Sequence, residues 1–231
     1  MEDELFIDLS ELDIDVDMPH DADGDVDPDV SGKKRIKPRT RSAVTQERQF
    51  FRRFKSEREI EDALTWEFQE GCAYHVLSGG DVDSLSYLTH VLRQQALEYC
   101  LLSTWCMALQ DIEELGRYLS LGRIKRLDAY VGEIFQGTYS NEHTQLTALM
   151  RKFGGRVAIF RNHSKVFVGF GEKFDFVIES SANINTNPRT ENTVITINAM
   201  LANEYKGFFD GIKSFADDFE DWQPYEVKHG G

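Results

Sequence analysis

The sequence predicts an α/β domain, a three-layer α/β/α sandwich built on a mixed, largely parallel sheet. Three observations predict it. From residue 57 onward, short β-branched or aromatic runs alternate with longer amphipathic runs, which is the rhythm of strands joined by helical crossovers. After Gly154 and Gly155 the rhythm changes, and strand-like runs follow one another without long helices between them. The body is also about 170 residues, enough to bury roughly 70% of its unfolded surface around one core.

The first helix is expected over 57–70, where Ile60, Leu64, Trp66 and Phe68 recur among charged residues. Residues 73–78 read as a strand and 83–97 as a helix. The cycle repeats with a strand at 99–105, a helix at 109–119, a strand at 126–131 and a helix at 143–153 that Gly154 and Gly155 end. Strand, helix, strand at this spacing implies parallel strands joined by right-handed crossovers, with helices on both faces. Strands at 156–161, 164–170, 174–179 and 193–198 lie too close together for helical crossovers, which makes that part of the sheet mixed. A last helix at 199–215 covers it. Sites in open sheets form at the carboxyl ends of strands, so Gly79-Gly80-Asp81, Ser103-Thr104-Trp105 and Gly132-Glu133 are placed to rim one.

The net charge of −14 is unevenly spread. Residues 1–30 hold thirteen Asp and Glu and no Lys or Arg, which leaves 27 acidic against 26 basic groups in the rest. A self-repelling acidic segment that buries little is expected to be disordered. The organisation predicted is an acidic tail over 1–32, a basic linker over 33–56, a catalytic domain over 57–216 and an acidic C-terminal tail over 217–231. The linker carries Lys33, Lys34, Arg35, Lys37, Arg39 and Arg41, followed by Arg48, Arg52, Arg53 and Lys55. Such a run can hold a phosphate backbone without reading sequence, and it can equally be a solvated linker that the acidic tail covers. The tail is thus expected to bind its own basic surface or another protein.

Other classes are disfavoured. No apolar run is long enough to span a membrane and the N-terminus lacks a basic then apolar leader. Cys72, Cys100 and Cys106 have neither disulfide-framework nor zinc spacing, so reduced thiols and a cytoplasmic setting are expected. Asp21-Ala22-Asp23-Gly24-Asp25 misplaces the glycine of a calcium loop, and Gly79-Gly80 lacks the spacing of a phosphate loop. No cofactor is implied.

The chemistry concentrates in His163-Ser164-Lys165, Ser180-Ser181-Ala182-Asn183 and Glu191. A neutral imidazole can attack phosphorus, while an ammonium and an amide can hold the phosphoryl oxygens. On a strand, His163 and Lys165 would share a face and Ser164 would point away. A turn after 174–179 would bring Asn183 beside them. No metal is required by this set.

These residues resemble the phospholipase D superfamily, whose pattern is His-x-Lys, a variable Asp, then Gly-Ser-x-Asn. Ser180 stands where the family has Gly, and the first Asp after Lys165 is Asp175, farther along than the family's. The resemblance implies a phospholipase D-like fold, with His163 as nucleophile, Lys165 and Asn183 as phosphate holders, Ser181 supporting the turn and Glu191 orienting His163. Two-step transfer needs a nucleophile and a separate acid, and this chain has one His-x-Lys. Single-motif members pair two subunits, so a homodimer is implied. The expected activity is a metal-independent phosphodiesterase, a nuclease acting on DNA or RNA through a phosphohistidine, with no membrane partner. Two alternatives stand beside it: a catalytically silent nucleic-acid-binding or assembly protein on the same fold, and a phospholipid phosphodiesterase.

Overall fold

Alternating apolar residues produce a sheet with two dry faces, and the two faces are covered unequally. A computed structural model describes residues 53–65, 67–184, 189–216 and 219–227, all within one compact unit, Ala43–Gly231. The acidic tail, the basic residues Lys33, Lys34, Arg35, Lys37, Arg39 and Arg41, and Trp66 lie outside the described residues. In chain order the elements are α1 (53–63), β1 (Ala73–Ser78), α2 (Ser84–Gln94), β2 (Leu97–Thr104), α3 (Leu109–Ser120), β3 (Ile124–Gly132) and α4 (Phe135–Thr138). They continue with α5 (Ser140–Lys152), β4 (Val157–Phe160), β5 (Val166–Gly171), β6 (Asp175–Ser180), β7 (Glu191–Ile197) and α6 (Ala199–Asp210).

The seven strands form one sheet in the order β1-β7-β6-β5-β2-β3-β4. Strands β2, β3 and β4 pair in parallel, whereas β1–β7, β7–β6, β6–β5 and β5–β2 pair antiparallel. It follows that β1, β2, β3, β4 and β6 all point one way and only β5 and β7 run against them. The sheet is therefore mixed and largely parallel in direction, although β1 lies far from β2 and borders β7 at an edge. One face buries Leu102, Leu127, Val131, Phe167, Ile178 and Ile195 beneath α1, α2, α3 and α5. The other buries Tyr99, Leu101, Tyr130, Val168 and Val177 beneath α6. Side chains at successive positions, such as Leu101 and Leu102, go to opposite faces, as the pleat requires.

Three segments depart from expectation. Helix α1 ends at 63, not 70, because side chains take over the backbone donors beyond it: Phe68 N–H donates to Gln94 Oε1 (3.2 Å) and Gln69 N–H to the Tyr74 hydroxyl (3.0 Å). Helix α6 stops at Asp210, after which the Ile159 N–H donates to Ser214 Oγ (3.0 Å) and the Phe215 N–H to the Ile159 carbonyl (2.7 Å). These bonds cover the free edge of β4, where unpaired strand groups would otherwise face other chains. The C-terminal segment, expected as an acidic tail, packs on the sheet over 219–227. Trp222 Nε1 donates to the buried Asp128 (3.2 Å), the Arg156 guanidinium stacks 3.5 Å from the Trp222 ring centroid, and Tyr225 stacks on Tyr99 at 4.9 Å.

Arg53 is a correction of a different kind. Read as one of the basic run, it instead pairs with two buried carboxylates, Asp83 Oδ2 at 3.2 Å and Asp111 Oδ1 at 2.5 Å. Asp83 caps α2 through the Leu85 N–H (2.9 Å), and Asp111 accepts from the Ala108 N–H at the start of α3 (3.0 Å). One guanidinium thus ties α1 to the amino ends of two other helices, where negative charge is favoured.

Candidate active site

The antiparallel order β7-β6-β5 places three pieces of sequence at one end of the sheet: the residues before β5, those after β6 and the start of β7. The Ser180 N–H donates to the Lys165 carbonyl (3.0 Å) and the Ser181 N–H to the Asn192 carbonyl (3.0 Å), which fastens the three together. The carboxyl end of β2 adjoins them, because Ser103 pairs with Val166.

His163 and Lys165 lie just ahead of β5 and not within it, yet their side chains meet. Lys165 Nζ stands 3.2 Å from His163 Nδ1 and donates to the His163 carbonyl at 2.6 Å. Ser164 points the other way, its Oγ 2.6 Å from Ser103 Oγ and donating to Asn162 Oδ1 at 2.7 Å. His163 is exposed and Lys165 half-buried. Burial pulls the Lys165 ammonium below its usual range, and the Cys106 sulfur and the Glu191 carboxylate oppose that shift.

Glu191 accepts a short hydrogen bond from Ser181 Oγ, which in turn accepts from the Asn192 N–H at 3.0 Å. This pair joins the turn after β6 to the first residue of β7. Asn183 is half-buried, and its Oδ1 has no hydrogen-bond partner among the described residues. The neighbouring Ile184 N–H donates to Thr104 Oγ1 (3.2 Å), so the Asn183 turn is anchored to the end of β2. His163, Lys165, Ser181, Asn183 and Glu191 are thereby all set at one sheet end. Asp175 is not: it accepts from the Gly171 N–H (3.2 Å) and closes the β5–β6 turn at the opposite end.

One contributor, Asn162, went unread in the sequence, and a second, Trp105, was expected only as part of the rim. Asn162 is buried, and its Nδ2 donates to Ser103 Oγ (2.9 Å), the Thr104 carbonyl (3.2 Å) and the Tyr130 carbonyl (3.0 Å) while Oδ1 accepts from the Ser164 N–H (2.9 Å). It pins the His163 segment to β2 and β3. The signal available was an amide directly before His163. Trp105, in a segment expected at the rim, has its ring 5.7 Å from the His163 ring. It can approach because β3 ends in Gly132, where a Cβ would lie 2.4 Å from the indole. Of the other segments expected at the rim, Gly79 and Asp81 line a small pocket between α1 and β1 with Leu64 and Val76, and the preceding Ser78 pairs with Glu191.

Among the described residues no three His, Cys, Asp or Glu side chains converge as a metal-holding group, and no helix is long and apolar enough to cross a membrane. The arrangement sets an imidazole, an ammonium and an amide at one end of the sheet.

The fold and motif define the chain's class: an α/β protein that resembles the phospholipase D superfamily. No family model and no curated protein matches it in sequence. Solved structures similar to it include a polyphosphate kinase from Porphyromonas gingivalis, 17% identical over 63% of this chain and 27% of that one, with a TM-score of 0.48. The chain thus spans about a quarter of that protein's length. A phospholipase D family member, Nuc from Salmonella typhimurium, is 14% identical over 68% of this chain and 99% of that one, with a TM-score of 0.46. NucT from Helicobacter pylori is 17% identical over 60% and 94%, with a TM-score of 0.44.

Proposed function

We propose that the protein is a metal-independent phosphodiesterase, a nuclease that cleaves nucleic-acid phosphodiesters through a phosphohistidine in a homodimeric site. The observation that carries this reading is the contact of Lys165 Nζ with His163 Nδ1 at 3.2 Å, beside the turn that bears Asn183. A phosphodiester entering there offers non-bridging oxygens to Lys165 and to the Asn183 amide. When Lys165 turns to phosphate, Nδ1 is released to carry the ring proton and Nε2 becomes the nucleophilic nitrogen.

His163 Nε2 then bonds to phosphorus, and the bond to the leaving oxygen breaks. That oxygen needs a proton, and His163 of a second copy supplies it as general acid. In the second step the same imidazole takes a proton from water, whose oxygen attacks phosphorus and breaks the P–N bond. Charge on the phosphoryl oxygens is offset by both Lys165 ammonium groups and both Asn183 amides. Glu191, fixed by Ser181, completes the site as the residue proposed to orient the imidazole. The basic residues 33–41 are proposed to hold the nucleic-acid backbone outside the pocket.

The displacement of Asp175 to the far end of the sheet favours a second reading, a nucleic-acid-binding protein of this fold without turnover. Cleavage of labelled DNA and RNA in excess EDTA separates the two. The proposed function predicts cleavage by the native protein and loss of at least ~100-fold in His163→Ala; binding without cleavage by either protein favours the second reading.

A further inference from the structure

On the face of the sheet away from the His163 and Lys165 side chains, a groove of about 530 Å3 runs between α6 and the ends of β5 and β6. Clefts of roughly 300–1,000 Å3 hold one small organic molecule. Val166 and Glu179 enter the groove from the sheet, and Glu204, Tyr205 and Phe208 from α6. Lys165 and Ser180 alternate with the sheet residues and direct their side chains to the other face, where Lys165 Nζ meets His163 and Ser180 Oγ lies 2.9 Å from Thr193 Oγ1.

The rings and acids of the groove are held in place. Phe208 is 65% exposed, yet its ring is braced edge-on by the buried Phe209, at 5.4 Å and 86°. The Tyr205 hydroxyl donates to Glu179 Oε1 at 2.5 Å, which fixes a second ring and a carboxylate together. Glu204 is exposed one turn before Phe208 on the same side of α6, and its carboxylate makes no hydrogen bond or ion pair among the described residues. The cleft is therefore aromatic and acidic, and the one ammonium of its lining, on Lys165, is turned to the opposite face.

Charge decides what fits there. An anion is repelled by both carboxylates, and a neutral apolar chain would strip water from Glu179 and Glu204 without replacing it. An ammonium gives a carboxylate a charge-assisted hydrogen bond and is attracted to an aromatic face. An apolar group attached to it covers Phe208 and Val166. We propose that this groove binds a small organic cation, an ammonium joined by a short chain to an aromatic ring, at a site separate from the proposed phosphodiester position. Glu204 and Glu179 hold the ammonium and Phe208 carries the ring. The inference stands independently of the phosphodiesterase reading, because the side chains that reading uses face the other way.

The test titrates the full chain, in buffer free of other amines, with three probes of similar shape: 2-phenylethylammonium, 2-phenylethanol and 3-phenylpropionate, followed by ligand-observed NMR. Native protein should bind the ammonium at least ~5-fold more tightly than the alcohol, and the carboxylate most weakly. Phe208→Ala and Glu204→Gln, both at exposed positions, should each weaken the ammonium by about 3-fold or more. Phe208→Trp should retain it, and His163→Ala should leave it unchanged. Equal binding of ammonium and alcohol would overturn the site, as would ammonium binding that neither Phe208→Ala nor Glu204→Gln alters. Loss of binding in His163→Ala would move the cation to the other face and overturn it too. If native protein binds none of the probes, the proposal falls; a smaller sedimenting species in Phe208→Ala would then assign the groove to a second copy of the chain.

Discussion

The imidazole, ammonium and amide were legible in the sequence because residue types and spacing carry their chemistry. Their supports were legible only in part. The strand-end rule put the segment of Trp105 at the rim, whereas Asn162 acts through an amide that reaches the ends of β2 and β3, a contact that no local pattern reports. Arg53 shows the converse failure: a basic run hides which member faces buried acids 30 and 58 residues away. There, one guanidinium serves two carboxylates in a dry site. Burial, then the charge of Asp83, pushes the Asp111 carboxyl up to about 7, against the pull of Arg53. Because the folded pKa lies above the unfolded value of about 3.9, this contribution to stability is complete below about pH 4 and is lost as pH rises through about 7. Urea unfolding should thus show native protein weakening relative to Asp111→Asn between pH 5 and 7, with a slope on the order of 1 kcal/mol per pH unit that levels off by about pH 8. Parallel pH profiles for the two proteins would remove the account.

At the scale of elements, the alternation of apolar residues located β1 at 73–78 and the strands β2 to β7 within a few residues. It could not place β1 in the sheet, since its partner β7 lies more than a hundred residues away and either edge would accept a half-buried strand. It also missed the covering of β4 by residues 214 and 215, which depends on backbone donors and not on side-chain pattern. The end of β3 matters most to the site. Gly132 lets Trp105 and the Asn162 carbonyl close over it, with a Cβ there 2.4 Å from the indole and 3.1 Å from that oxygen. Gly132→Ala should cost about 1–3 kcal/mol in urea unfolding and lower cleavage by more than the lost stability explains, because the displaced groups position His163. An alanine variant with native stability and native rate would show that the close approach is unimportant.

For the molecule as a whole, the proposed chemistry has one nucleophile per chain and calls for an acid on the opposite side of phosphorus. In the proposed homodimer, two copies related by a two-fold axis would supply it with the same residues. The acidic tail and the basic residues up to 52 lie outside the described residues, so their part in gripping or restraining substrate is a proposal read from charge. By contrast Trp222 and Tyr225 belong to the packed body, a fact hidden by the acidic composition around them. The most direct test combines both claims, the histidine and the pairing. Labelled single-stranded DNA is incubated in excess EDTA with native protein, with His163→Ala, and with an equal mixture of the two allowed to exchange subunits at constant total concentration. The shared site predicts cleavage by native protein, none by the variant, and about a quarter of the native rate in the mixture, since only native pairs carry both imidazoles. About half the native rate would contradict the shared site, and cleavage by His163→Ala at the native rate would contradict the histidine chemistry itself.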